Sequence, residues 1–224
     1  MSRLLGSYKD WATIDYQPFI AELHPHVILP YLTAETTALD VGCNKGGAAL
    51  FLASHGLKVL GIDINSCAVD EARSRAESRG LEGRVTFEAA DFLIDPPFGE
   101  FDIVLLARVL TCFPEAQEWR TLLSQAEQSV RLGGLLYVHD FLISLESENY
   151  RARYEAGEKR GWRPGNFCVN SPLGDELFVA HHHSDDEVRM IVSPYSPVFY
   201  NVHESMSMNG NPCRMFEFLG KRLA

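Results

Sequence analysis

The sequence has 224 residues, a formal net charge of -10 and 46% hydrophobic residues. This length suits one domain with a full core, and the acidic balance argues against the phosphate backbone of a nucleic acid as the main ligand. No apolar run is long enough to span a bilayer, and the first residues, MSRLLGSYKDW, lack the apolar stretch of a signal peptide. We therefore expect a cytoplasmic globular protein, monomeric or homodimeric, with no membrane or nucleic-acid partner.

Residues 1–35 precede the first core strand and are rich in aromatic side chains, among them Tyr8, Trp11 and Tyr16. These side chains pack on the body as a helical extension, or they close over the site as a lid. An aromatic face attracts a cation and excludes water, which suits a lid. Tyr8 and Trp11 are therefore candidate substrate contacts.

Apolar strand patterns alternate with helical patterns between residues 36 and 141. The predicted strands cover 37–42, 57–63, 84–91, 101–110 and 133–141. Strands with continuous apolar runs, separated by helices, indicate a parallel sheet that is covered on both faces. Asn65 or Ser66 is expected to cap the helix that follows the second strand.

The alternating pattern fades between residues 142 and 183, which we interpret as a substrate-cap insertion over the site. From residue 184 onwards, Ser184 and Glu187 fit a capping box, and two strands around the sequence NGNP predict a hairpin. The predicted fold is a single α/β domain, 1–224. It has a Rossmann-like, doubly wound, mostly parallel seven-stranded sheet with a C-terminal antiparallel hairpin and helices on both faces.

A glycine-rich turn, DVGCNKGG, lies between the first strand and the first core helix, and Asp63 ends the next strand 17 residues after Gly46. Such glycines let the backbone approach a ligand, and an acidic residue at this place accepts both ribose hydroxyls. In a dinucleotide fingerprint the position of Asn44 is a glycine that touches the pyrophosphate. Asp40 would repel a diphosphate but suits a ligand with an ammonium and a sulfonium. The pattern therefore favours S-adenosylmethionine over NAD(P).

The segments DVGCNKG, GIDIN, AAD and FDIVLL resemble the motif series of class I S-adenosylmethionine-dependent methyltransferases, and later segments are similar to small-molecule and TehB-like members. The resemblance implies methyl transfer from S-adenosylmethionine to a small-molecule acceptor by in-line displacement. It also implies that glycines line the methionine portion of the cofactor and that carboxylates bind its amino group, ribose and adenine. The implied cofactor-binding residues are Asp40, Gly42, Asn44, Gly46, Asp63, Ile64, Asp91, Phe92, Ala107 and Arg108. Asn44 departs from the family, which usually has glycine there.

The acceptor side has weaker signals. His139 lies at the carboxyl end of the fifth strand, where ligands bind in open α/β sheets. His139 and Tyr16 are candidate catalytic bases for an amine acceptor, whereas an acceptor that is already ionised needs no base. Arg108 binds the substrate or the cofactor carboxylate, or it forms a structural salt bridge.

Three consecutive histidines follow the cap insertion at positions 181–183. Adjacent residues of an extended segment point to opposite faces, so the three side chains cannot all converge on one ion, and we predict no metal site. His182 is a candidate contact of the acceptor.

Three other functions fit the same patterns. One is an NAD(P)-dependent oxidoreductase on the same kind of sheet. Another uses S-adenosylmethionine without methyl transfer, in an intramolecular displacement, a cyclisation or a lyase reaction. The last is a binding module without catalysis.

Overall fold

The computed structural model of the protein describes residues 7–13, 23–171, 174–207 and 210–223. The strands within these ranges are β1 (Thr37–Val41), β2 (Lys58–Asp63), β3 (Val85–Ala89), β4 (Phe101–Ala107), β5 (Val130–Leu142), β6 (Asn166–Asn170), β7 (Glu176–His181), β8 (Tyr195–Met206) and β9 (Pro212–Arg222). The α-helices are α1 (Pro25–Ile28), α2 (Gly47–Ser54), α3 (Ser66–Ser78), α4 (Ala116–Ser129), α5 (Glu148–Lys159) and α6 (Asp185–Val192). Short 3-10 helices cover Tyr8–Thr13, Leu29–Tyr31 and Leu110–Cys112.

The main sheet has seven strands in the order β3-β2-β1-β4-β5-β9-β8. The first five strands of this order pair in parallel, whereas β9 runs antiparallel to both β5 and β8. This architecture confirms the predicted fold class, including the C-terminal hairpin. Since β1 to β5 run in parallel, their carboxyl ends meet at one edge of the sheet, which we name the carboxyl edge.

Both faces of the sheet are buried under helices, which explains the continuous apolar runs of its strands. On one face, Leu39 of β1 belongs to a core cluster that includes Trp119 of α4. On the other face, Ala38 clusters with Leu52 of α2 and Val69 of α3. The side chains of successive strand residues thus point into opposite core layers.

The predicted helix caps are confirmed. The Asn65 side chain accepts a hydrogen bond of 3.1 Å from the Ala68 N–H at the start of α3. At α6, Ser184 and Glu187 form the complete capping box, in which each side chain binds the backbone N–H of the other residue. These caps fix where the chain turns from the carboxyl edge into each helix.

Residues 142–183, which we name the cap, contain α5 and a separate hairpin of β6 and β7. Their aromatic side chains form a third core cluster on Phe141 of β5, with Tyr150, Tyr154 and Phe167 as members. The sequence pattern did not predict the cap hairpin. The role of the cap in substrate binding stays a prediction.

The described part of segment 1–35 is helical only in short pieces, two 3-10 helices and α1. Tyr16 lies outside the described residues. Across the described ranges, no helix combines the length and the apolar character that crossing a bilayer requires.

Candidate active site

A cavity opens at the carboxyl edge, between the ends of β1, β2 and β4 and the loop after β3. Nine of the ten predicted cofactor-binding residues line it, namely Asp40, Gly42, Asn44, Asp63, Ile64, Asp91, Phe92, Ala107 and Arg108. Tyr8 and Trp11 from the N-terminal 3-10 helix line it as well. The resemblance to class I methyltransferases implied this set, and the parallel sheet brings its members together because every strand end contributes residues at the same edge.

Asp40 lies at the bottom of the cavity and is 2% exposed. Its carboxylate accepts a hydrogen bond of 3.1 Å from the Ala49 N–H of α2. Burial raises the pKa of Asp40 to about 7, the Ala49 N–H lowers it, and the nearby charge of Asp63 raises it. Asp40 therefore changes its charge near neutral pH, and a bound cation would favour the ionised form.

Gly42 and Asn44 shape the turn after β1. Both residues adopt left-handed backbone conformations, with φ of +70° and +47°. Asparagine tolerates this conformation better than other side chains because it can hydrogen-bond locally. Accordingly, Asn44 Oδ1 accepts a hydrogen bond of 2.7 Å from the N–H of Lys45. This geometry explains how asparagine replaces the usual glycine without changing the turn.

Gly46 is the predicted cofactor residue that does not line the cavity. It caps α2 with φ of +79°, and a Cβ atom at this position would lie 2.7 Å from Cζ of Phe87. Gly46 packs against Phe87 of β3, and its contact with the methionine portion stays a prediction. Its role is to let α2 pack closely on the sheet.

Replacing Gly46 with alanine is expected to reduce the free energy of unfolding by roughly 2–4 kcal/mol, through the left-handed φ and the overlap with Phe87. Urea unfolding of the purified protein measures this loss. Gly80→Ala is the matched control, because Gly80 also has a positive φ of +64° but no atom within 4 Å of an added Cβ. Equal losses in the two variants would contradict the packing role.

Asp63 is held by two backbone donors at the end of β2. Its Oδ2 accepts from the Asn44 N–H at 2.8 Å, and its Oδ1 accepts from the Asn65 N–H at 2.8 Å. Burial raises the pKa of Asp63, and the backbone hydrogen bonds from Asn65, Asn44 and Ile64 lower it. The carboxylate is thus fixed in place, and each oxygen keeps a lone pair for a ligand hydroxyl.

Tyr8 closes the far end of the cavity over Asp91. The Tyr8 hydroxyl donates a 2.7 Å hydrogen bond to Asp91 Oδ2, and the ring stacks on Phe113 with centroids 4.9 Å apart. Burial and this bond raise the pKa of Tyr8 above its usual range. A predicted substrate contact therefore touches the carboxylate that was predicted to bind adenine. The contact links residues that are 83 positions apart, so no local pattern could indicate it.

Arg108 follows β4 with a left-handed backbone, φ of +59°. Its N–H donates a 2.8 Å hydrogen bond to the carbonyl oxygen of His139, and its guanidinium lies 5.9 Å from the ring centroid of Phe141. Strained non-glycine residues of this kind cluster at functional sites. Arg108 thus joins the cavity wall to the end of β5.

His139 is 2% exposed and pairs with Ala107 across β5 and β4. It does not line the cavity. Instead it belongs to a histidine cluster in which its ring centroid lies 5.5 Å from that of His24 and 5.3 Å from that of His203. Next to it, Glu217 forms a 2.6 Å contact with His24 Nδ1. The cluster borders the cavity wall through Ala107.

Sequence reasoning missed His24, His203 and Glu217. The His24–Glu217 contact spans 193 positions, and it forms only because α1 packs on the face where β5, β9 and β8 are neighbours. The sequence offered one signal for such buried polar residues, namely a charged residue inside an otherwise apolar strand. Glu217, in the run MFEFLG, carries it.

His182 is buried away from the cavity. Its Nδ1 lies 2.7 Å from the Tyr154 hydroxyl, and its ring stacks on Phe141 with centroids 4.9 Å apart. The structure therefore places His182 in the aromatic core of the cap and not in contact with the cavity. Trp11, in contrast, lines the cavity and lies 4.0 Å, between ring centroids, from Phe178 of the cap.

The chain is similar to known methyltransferases. Residues 38–134 match the family model described as a methyltransferase domain. The 27-O-demethylrifamycin SV methyltransferase of Amycolatopsis mediterranei is 34% identical over 129 residues, which are 54% of this chain and 46% of that protein. The chain thus spans less than half of the length of this curated relative.

Two solved structures share the fold. A SAM-dependent methyltransferase from Methanosarcina mazei is 27% identical with a TM-score of 0.82, over 94% of this chain and 99% of that chain. TehB from Haemophilus influenzae is 15% identical with a TM-score of 0.64, over 89% of this chain and 62% of that chain, a likeness of fold alone. Residues 38–134 thus match a methyltransferase domain, and the strand order and the full-length likeness to the Methanosarcina mazei structure show that the chain has the fold of SAM-dependent methyltransferases.

Proposed function

We propose that the chain transfers the methyl group of S-adenosylmethionine to a small-molecule acceptor by in-line displacement. The observation that carries this proposal is a row of three carboxylates, Asp40, Asp63 and Asp91, along one cavity. They come from β1, from β2 and from the loop after β3, which are neighbours in the sheet. S-adenosylmethionine has hydrogen-bond donors in the same order. Its ammonium would pair with Asp40, its ribose hydroxyls with Asp63 and its adenine amino group with Asp91.

The residues of the cavity fit this cofactor better than a dinucleotide. The charge of Asp63 raises the pKa of Asp40, so the two carboxylates are near each other and a diphosphate at this turn would meet both. The Asn44 side chain also occupies the place where a dinucleotide fold needs a glycine. A sulfonium ligand carries positive charge and gains from the same carboxylates.

S-adenosylmethionine, when bound, supplies a methyl group that is already activated by the sulfonium. The chain then has to bind the cofactor and the acceptor, orient them and exclude water from the cavity. These effects can provide much of the rate enhancement. Asp63 fixes the ribose side, Tyr8 and Phe92 close the adenine side, and Trp11 covers the cavity towards the cap. Ala107 and Arg108 face the acceptor at the end of β4.

The acceptor is a small molecule in this proposal, in agreement with the substrate for which the Amycolatopsis relative is named, 27-O-demethylrifamycin SV. His139 is the candidate base for an acceptor that carries a proton. Its ring borders the cavity behind Ala107, so it would act after a rearrangement of that wall or through a water. Tyr16 remains the second candidate base.

Calorimetric titration of the purified protein with S-adenosylmethionine, S-adenosylhomocysteine and NAD tests the cofactor part. We expect micromolar binding of both adenosyl ligands and no binding of NAD. The acceptor part is tested by mass spectrometry after incubation with S-adenosylmethionine and a panel of phenols, carboxylic acids, thiols and amines, with S-adenosylhomocysteine as the expected product.

Two outcomes would overturn the proposal. NAD binding without adenosyl binding would favour an oxidoreductase. Turnover of the cofactor in the absence of any acceptor, after correction for its chemical decay, would favour cyclisation or lyase chemistry.

A further inference from the structure

Three metal-ligating side chains meet where β7 ends and α6 begins, outside the cavity. His181, His183 and Glu187 each offer one ligand atom, and these atoms all lie within 4.8 Å of one another. The side chains of both histidines are 0% exposed, and that of Glu187 is 12% exposed. We name this group the His-His-Glu cluster.

The local fold explains why these three residues converge. Because side chains alternate along an extended segment, His181 and His183 share one side, whereas His182 lies in the aromatic core of the cap. The capping box then turns the first turn of α6 back towards the strand end. As a result, Glu187 Oε2 lies 3.2 Å from His181 Nε2. The sequence pattern predicts Glu187 only as a capping residue and gives no sign of this third donor.

The hydrogen bonds of His181 call for a positive charge between it and Glu187. Asn166 Nδ2 donates to the Pro114 carbonyl at 3.2 Å, which leaves Asn166 Oδ1 as the acceptor at 2.7 Å from His181 Nδ1. The Nδ1 atom of His181 therefore carries the proton in a neutral ring. Its Nε2 lone pair then faces a carboxylate oxygen, an arrangement that only a proton or a cation between the two atoms makes favourable.

His183 is the second unusual group of the cluster. Neither of its ring nitrogens has a hydrogen-bond partner among the described residues, although the side chain is fully buried. An unsatisfied buried polar group costs about 1–3 kcal/mol unless something compensates for it.

We propose that His181, His183 and Glu187 bind one divalent transition-metal ion of the zinc class. Two histidines and one glutamate form a ligand set that zinc uses, with a fourth position open to water. His181 has an orienting group on the side of the ring away from Glu187, because Asn166 Oδ1 accepts from its Nδ1. Such partners of the ligands are typical of built metal sites.

Arg163 carries a positive charge next to the cluster, and its ion pair with Glu187 offsets the repulsion that a metal ion would meet. Arg163 pairs with Oε1 of Glu187, and Oε2 is directed at His181 Nε2 and at the N–H and hydroxyl groups of Ser184. The ion would join the end of β7 to α6, and it would also tie them to β5, because the His183 N–H donates a 3.0 Å hydrogen bond to the Phe141 carbonyl. Its role is therefore to hold the cap on the sheet, and it takes no part in the chemistry of the cavity.

Titration of chelator-treated protein with Co²⁺ and then Zn²⁺ tests the proposal. We expect one equivalent of Co²⁺ to bind with the intense visible absorption of a four-coordinate site, Zn²⁺ to displace it, and Zn²⁺ to raise the melting temperature. His183→Gln and Glu187→Gln should each weaken Zn²⁺ binding by at least ~100-fold. Loss of a residue that only supports a metal ligand already weakens metal binding by about 10- to 100-fold, and loss of the ligand itself should cost at least as much. Glutamine at position 187 keeps the capping box, so this variant is expected to fold even if the other does not.

His203→Gln is the matched control, because His203 belongs to the other histidine cluster, near His24 and His139. It should leave Zn²⁺ affinity unchanged. The proposal is overturned if the wild-type protein binds neither ion, or if Zn²⁺ affinity falls in His203→Gln but not in Glu187→Gln. Binding of S-adenosylhomocysteine is measured separately, so a failure of the metal proposal leaves the proposed function untouched.

Discussion

Replacing Asp63 with alanine is expected to weaken S-adenosylmethionine binding by roughly 100-fold, since charge-assisted hydrogen bonds to hydroxyls contribute about 1.5–3 kcal/mol. The proposed contacts are to the two ribose hydroxyls. The carboxylate is already fixed by the N–H groups of Asn44 and Asn65, so the wild-type protein spends little conformational entropy on ordering it. Calorimetric titration with S-adenosylmethionine measures the change.

Two further variants separate binding from folding in this experiment. Asp63→Asn keeps the shape and an acceptor for one backbone N–H, and we expect it to lose most of the affinity because the charge is gone. Asp70→Ala removes an aspartate of α3 whose side chain is 72% exposed, and we expect no change. Wild-type affinity in Asp63→Ala, with its fold intact, would show that the ribose site was assigned wrongly.

Cofactor affinity is expected to depend on pH through Asp40. Burial raises its pKa to about 7, so below that pH the side chain must lose a proton before it can pair with the ammonium of the cofactor. Affinity should therefore fall by roughly 20- to 30-fold between about pH 7.5 and about pH 5.5, because one proton is released on binding. Titrations in buffers with different ionisation enthalpies count this proton directly.

The Asp40→Asn variant should bind S-adenosylmethionine weakly, and its affinity should depend little on pH. Asp140→Asn is the informative control, because burial also raises the pKa of Asp140 to about 7, yet Asp140 does not line the cavity. Its pH dependence should match that of the wild-type protein. A wild-type affinity that stays constant across this range would contradict the pairing of Asp40 with the ammonium.

Asp40 should also make the folded state less stable at higher pH. Its folded pKa lies above the unfolded value near 4, so the folded protein retains a proton that the unfolded chain releases. The free energy of unfolding therefore falls as pH rises from about 4 to about 7, by up to about 4 kcal/mol for this fully buried group. Urea unfolding across that range should show a shallower slope for Asp40→Asn. Identical slopes would mean that Asp40 is ionised in the folded protein throughout.

The sequence by itself determined the sheet and most of the cofactor cavity. Strand ends, the glycine-rich turn and the carboxylates at positions 40 and 63 are local features, whereas the role of Asp91 was implied by the family resemblance. In a parallel sheet, each strand end delivers its residues to the same edge, so local patterns already imply a common site. The close packing of Gly46 against Phe87 of β3, in contrast, depends on how α2 lies on the sheet.

Tertiary structure decided every contact between segments that are distant in the chain. Tyr8 reaches Asp91, His24 reaches Glu217, and His182 is enclosed by the aromatic core of the cap. A periodic pattern tells which face of an element is buried but not which distant element covers it. That choice depends on how the whole chain closes its core, where helices and strands from remote positions compete to exclude water from the same surfaces.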